Sequence, residues 1–289
     1  MRRNVLIVLA VVALLAVTVV PALAITDGEP DGDGHPYVGL MVAKNADGNV
    51  LWRCSGTLIS PTIFLTAGHC TEAPAVSAAI WFDSGYPDEI PLDPKYVSLA
   101  NGGPSCADPA VKGYPCKGYD AKGTTYVHPQ YDPDAFFLYD LGVVVLDKPV
   151  KMKTYGALPK LDVLDQFKTD KQDVTFTAVG YGLQQSFPDA TSWKDVAYRT
   201  RMVAYPRLIQ INTPGFTGDF SILLSNNANT GGTCFGDSGG PNFIGDTNIV
   251  GGVTSFGMNG TCGGTGGVYR VDRADDLNWL YGEFGDYLD

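Results

Sequence analysis

The chain is short of basic residues, of histidine and of long apolar runs, and each shortage removes a class of function. Lysine and arginine together number 20 against 31 acidic residues, a net charge of −11. Nucleic acids and anionic membranes are bound largely through cations that neutralise phosphates and lipid headgroups, so neither is expected as a partner. There are three histidines, His35, His69 and His128, far apart in sequence, and no Cys-x-x-Cys pair. That leaves no zinc-knuckle spacing, and no metal or cofactor is expected. Beyond residue 20 no stretch is long and apolar enough to span a bilayer, which takes about 20 residues. Internal repeats of fixed period are absent, and helical periodicity is scarce. Charged residues make up 18% of the chain and hydrophobic residues 45%, which excludes a disordered polypeptide.

What is present begins with a leader. Arg2 and Arg3 precede an apolar run over residues 5–20, then Pro21 and the small-residue triplet Ala22-Leu23-Ala24. Residues 1–24 therefore read as a secretory signal peptide, and residues 25–289 as a secreted, extracellular chain. Loss of the two leader arginines leaves 18 basic residues against 31 acidic, a net charge of −13. The remainder is long enough for one large core or two packed subdomains. Six cysteines in an exported chain read as disulfides, and their spacing favours Cys54–Cys70, Cys106–Cys116 and Cys234–Cys262.

Glycine (35) and proline (19) punctuate short runs rich in Val, Thr, Phe and Tyr, at 37–42, 57–65, 141–146, 174–181 and 249–255. Short strands between turn residues predict an all-β sandwich or barrel. A helix is expected only at the end, where Leu277, Leu280, Tyr281 and Phe284 recur at helical offsets. Residues 83–120, dense in Pro, Gly and Tyr, read as a surface insertion stapled by Cys106–Cys116.

Three segments carry chemistry. Leu65-Thr-Ala-Gly-His-Cys70 ends an apolar run with a histidine, Tyr139-Asp-Leu-Gly sets an acid at the mouth of a buried strand, and Gly236-Asp-Ser-Gly-Gly-Pro241 sets a serine in a glycine-rich turn. A serine hydroxyl is a poor nucleophile until an imidazole takes its proton. The imidazole in turn needs a buried carboxylate to fix its tautomer and stabilise its cation. Glycines beside the serine let backbone N–H groups close on the oxyanion of a tetrahedral intermediate. The expected roles are nucleophile for Ser238, base and then acid for His69, and orienting carboxylate for Asp140. The amides of Gly236 and Ser238 would form the oxyanion hole. Asp132, Asp134 and Asp147 compete with Asp140, but they lie in proline-containing turns, whereas Asp140 opens the buried run 141–146. An α/β-hydrolase needs its histidine after the serine, and no histidine follows Ser238. A subtilisin-like order would use Asp27 or Asp33, but the helices of that fold are missing from the pattern.

Together these segments resemble the signatures of the chymotrypsin/trypsin family of serine peptidases. His35-Pro-Tyr-Val-Gly-Leu40 resembles the family's first strand, Cys54-Ser-Gly-Thr-Leu-Ile59 the strand before the histidine, and His128-Pro-Gln-Tyr131 the lead-in to the aspartate. Val179-Gly-Tyr-Gly182 resembles the start of the second barrel, and Ser255-Phe-Gly257 and Gly267-Val-Tyr269 the pocket walls. The resemblance implies two six-stranded antiparallel β-barrels with the active site between them, a boundary near 150–170, and a short C-terminal helix. It implies disulfides at Cys54–Cys70 and Cys234–Cys262. It also implies a secreted, monomeric endopeptidase acting through an acyl-enzyme on peptides or proteins and subject to protein inhibitors. The alternative is an inert binding homologue on the same fold. Gly232 stands where trypsin-like members carry an acid, so an uncharged pocket is expected, built from Gly232, Thr233, Ser255, Gly257 and Gly267. Cleavage after Ala24 would expose Ile25, which resembles the family's activating terminus and would pair with Asp237.

Overall fold

The short apolar runs become fourteen strands and one α-helix in the computed structural model, which describes residues 25–90, 115, 118–168, 174–184, 198–213 and 216–288. The leader, most of the 83–120 insertion and the Cys106–Cys116 pair lie outside the described residues.

Six strands close the first barrel: β2 (Val38–Lys44), β3 (Val50–Leu58), β4 (Ile63–Thr66), β5 (Ser77–Trp81), β6 (Ala121–Val127) and β7 (Gly142–Leu146). Their order around it is β2-β3-β4-β7-β6-β5, all antiparallel. Sequence pattern explains the placements. The β-branched run of β7, Gly-Val-Val-Val-Leu, is almost wholly buried between β4 and β6. By contrast β6 alternates at its start, with Ala121 and Gly123 buried and Lys122 exposed, the mark of a strand with one face in water.

The second half uses β8 (Phe176–Gly180), β9 (Met202–Ala204), β10 (Leu208–Thr213), β11 (Gly218–Asn226), β12 (Pro241–Ile244), β13 (Val250–Gly257) and β14 (Gly264–Arg270). They form one antiparallel sheet, to which β1 (Glu29–Pro30) adds through β9. β9 and β10 are halves of one bent segment: β9 pairs with β8 and β10 with β11. The bend falls at Pro206, which has no N–H to donate and so suits a break in the ladder. There Phe176 N donates to Pro206 O and Leu208 N to Val174 O, bringing the two ends of the sheet together. β8, β9 with β10, β11, β14, β13 and β12 thus make a six-membered circuit, the expected second barrel.

A continuous apolar core joins the halves, running from Leu40, Phe64 and Val143 to Val179, Tyr181, Phe243, Val253 and Tyr269. The helix α1 (Ala274–Phe284) seats Leu277, Leu280 and Phe284. Tyr281, expected on that face, is exposed. The buried face is shared instead with Asp276, which turns it away from residue 281. No helix among the described residues is long and apolar enough to cross a membrane.

Candidate active site

His69 sits in a single 3₁₀ turn, Gly68–Cys70, just after β4. Two contacts fix that turn from behind: the Cys54–Cys70 disulfide, and the Trp52 indole N–H, which donates to Cys70 O at 2.8 Å. Gly68 is small for a reason, since a Cβ there would lie 3.2 Å from Asp140 Oδ1 and 2.9 Å from the Tyr131 ring. The approach it permits brings Asp140, at the mouth of β7, against the histidine.

Asp140 is fully buried. Its carboxylate accepts from the backbone N–H of His69 at 2.8 Å, lies 2.9 Å from His69 Nδ1, and accepts from Ser255 Oγ at 2.5 Å. With Nδ1 bonded to an acceptor-only group, Nε2 is left as the basic nitrogen. Burial alone would hold His69 below the usual imidazole range; the charge and hydrogen bond of Asp140 outweigh it and raise the pKa. Asp132 is instead spent accepting from Asp134 N in an exposed turn, and Asp147 pairs with Lys122.

Ser238 comes from the other half, in the turn between Cys234 and β12. Gly236 (φ +94°) and Gly239 (φ +77°) adopt left-handed backbone, and a Cβ on Gly239 would fall 2.0 Å from Thr66 Oγ1. The turn closes by Gly240 N to Asp237 O, and it hangs from β3 through Ser55 N to Ser238 O at 2.8 Å. Among the described residues, the amides of Gly236 and Ser238 donate to no acceptor, and the Ser238 hydroxyl forms no hydrogen bond to His69. His69 and Ser238 both line one cleft of about 300 Å³, with Phe136, Phe235, Phe256 and the Cys234–Cys262 disulfide.

Of the expected pocket residues, Thr233, Ser255 and Gly257 line this cleft, while Gly232 and Gly267 are not part of its lining. Gly232 is buried, bridged to Thr26, and a Cβ there would meet the Asn226 side chain within 2.4–2.7 Å. Gly267 lies beneath Phe256, whose ring would be 2.2–2.4 Å from a Cβ. No acidic side chain lines the cleft among the described residues.

Asp237 is buried, with Oδ1 accepting from Gly182 N at 2.7 Å and Oδ2 from Cys234 N at 2.9 Å. Burial pushes its carboxyl up to about 7, against the lowering effect of those amides and of the Arg53 charge. Ile25, preceded here by Ala24, is buried in an apolar group with Ala178, Met202 and Ala204, and is not among the hydrogen-bond partners of Asp237. Sequence reasoning placed Ser255 only in a pocket wall and missed its bond to Asp140. It also missed Arg53, whose lone charge in the apolar β3 was the available signal.

Two linked barrels, with a histidine and aspartate from one facing a serine turn from the other, define a chymotrypsin-type architecture. The family model for trypsin matches residues 115–277, more than half the chain and including Asp140 and Ser238, so the chain belongs to the trypsin family of serine proteases. It is 28% identical over 227 residues to a phenoloxidase-activating enzyme of Bombyx mori, covering 72% of this chain and 48% of that protein. It is 26% identical to the CLIP domain-containing serine protease B10 of Anopheles gambiae, with 86% and 66% coverage. To a chymotrypsin of Phaedon cochleariae it is 26% identical, with 90% and 82% coverage. The chain thus spans about half to two thirds of the length of the first two. Among solved structures it resembles HL collagenase, with a TM-score of 0.61 at 22% identity and 89% and 97% coverage, which bears on the fold alone.

Proposed function

We propose that this chain is an active, secreted serine endopeptidase that cleaves peptide bonds through an acyl-enzyme on Ser238. The observation that carries this reading is the His69–Asp140–Ser255 chain of hydrogen bonds, opening on the cleft that His69 and Ser238 both line, beside a turn whose Gly236 and Ser238 amides are uncommitted among the described residues. In the reaction, His69 Nε2 takes the Ser238 proton as Oγ attacks the scissile carbonyl, while Asp140 balances the imidazolium. The Gly236 and Ser238 amides receive the oxyanion. His69 then protonates the leaving amine, and water repeats the sequence to release the acid. The lining favours an apolar or aromatic side chain before the scissile bond, because a lysine or arginine would be desolvated there without an acid.

The test is a panel of peptides varied at that position, with Ser238→Ala as control. Faster cleavage after Phe, Tyr, Leu or Met than after Lys or Arg is expected, with no cleavage by the variant. Dominance of Arg or Lys would overturn the pocket assignment. One observation favours an inert binding homologue, the lack of a Ser238–His69 hydrogen bond. Such contacts commonly tighten only once substrate is bound, and the same panel decides between the two readings.

A further inference from the structure

The turn that presents Ser238 is braced from behind by β3. Arg53 and Ser55 are two residues apart, hence on one face of that strand. Ser55 Oγ donates to Gly236 O at 3.0 Å and accepts from Tyr181 N at 2.9 Å, while its amide holds Ser238 O. Arg53 is 8% exposed, and its Nη2 donates to Tyr181 O at 2.5 Å. The same Nη2 lies 3.8 Å from where a Cβ on Gly236 would sit. The two side chains therefore hold the Tyr181 peptide groups on both sides, and the next amide, Gly182 N, holds Asp237. A buried guanidinium costs several kcal/mol in lost hydration unless its charge is used, so an apolar residue would serve a purely packing role better.

We propose that Arg53 is a positioning residue for the reaction: it fixes the Tyr181–Gly182 segment, whose next amide holds Asp237, and so sets the turn that offers the Gly236 and Ser238 amides. It touches no reacting atom and acts through Asp237. Asp237 accepts from the amides of Gly182 and Cys234, and the Arg53 charge favours its anion; burial still leaves the carboxyl near 7. Removing the guanidinium disfavours the anion further, so the carboxylate forms only at higher pH. The assignment rests on the peptidase reading above.

The experiment compares wild type, Arg53→Gln, which keeps a donor without the charge, and Arg53→Lys, which keeps the charge. Steady-state kinetics on a peptide ester are measured over roughly two pH units on either side of neutrality. In Arg53→Gln, kcat is expected to fall about tenfold to a hundredfold with KM changed little, and the acid limb to move to higher pH. Arg53→Lys should restore the limb. If Arg53→Gln fails to fold, the pair is compared in the Asp237→Asn background, where loss of the charge should cost little. Wild-type kcat and limb in Arg53→Gln overturn the proposal, as does a kcat loss without a limb shift or an equal loss in the Asp237→Asn background. Failure of wild type to react with a fluorophosphonate at Ser238 would instead remove the peptidase reading itself.

Discussion

The two sides of the cleft are held in different ways. On the first barrel, His69 is fixed by charge: a fully buried carboxylate meets its ring and its amide at 2.9 and 2.8 Å. On the second, Ser238 is fixed by neutral backbone bonds from β3, and the buried acid beside it, Asp237, stays near 7. The first side is thus held by direct bonds to a buried carboxylate, while the acid of the second is only partly compensated and responds to pH. Substitutions on the charged side should therefore act on kcat and, through His69, on the acid limb of kcat/KM, and those on the serine side on kcat and, through Asp237, on its own pH dependence.

The largest effects fall on the reacting groups. Ser238→Ala or His69→Ala should lower kcat by about 10⁶, measured by single-turnover ester hydrolysis, and full activity in either would end the mechanism. Next comes Asp140→Asn, expected to cost about 10⁴ in kcat with folding intact, the size typical of this family's triad aspartate. Asp132→Asn and Asp134→Asn should stay near wild type, and the reverse pattern would reassign the acid. Ser255→Ala removes one hydrogen bond to the buried carboxylate and should cost roughly tenfold to a hundredfold. A cost equal to that of Asp140→Asn would show that the two act as a unit.

The smallest effect is on stability and carries a definite sign. The folded carboxyl of Asp237 titrates near 7 against an ordinary value of 3.8. Between these values the native state holds the proton more tightly, so this group's favourable contribution is full below 3.8 and is lost as pH rises to about 7. Thermal unfolding of wild type and Asp237→Asn across that range should differ in slope, with the wild type declining more steeply. In kinetics, the raised pKa of His69 places the acid limb of kcat/KM above the ordinary imidazole range.

The legible parts of the molecule were those written in contiguous residues. The glycines around Ser238, the apolar run after Asp140 and the strand-ending His69 each carry their structural reason within a few positions. Tyr281 shows where local periodicity stops: its helix is present, but a buried aspartate, Asp276, sets which face turns inward. The links that organise the site join residues far apart. Ser255 reaches Asp140 across 115 positions, and Arg53 reaches Tyr181 across 128. Nothing in the local pattern of either residue encodes its partner. Gly232 and Gly267 were legible as glycines at family positions, but the structure packs them against Asn226 and Phe256, outside the cleft lining.

The most direct test of the account is reaction of the purified protein with a fluorophosphonate, followed by peptide mapping of the adduct. The account predicts a single adduct on Ser238, lost in Ser238→Ala and strongly slowed in His69→Ala. An unlabelled wild type, or an adduct on another residue that persists in Ser238→Ala, would contradict it.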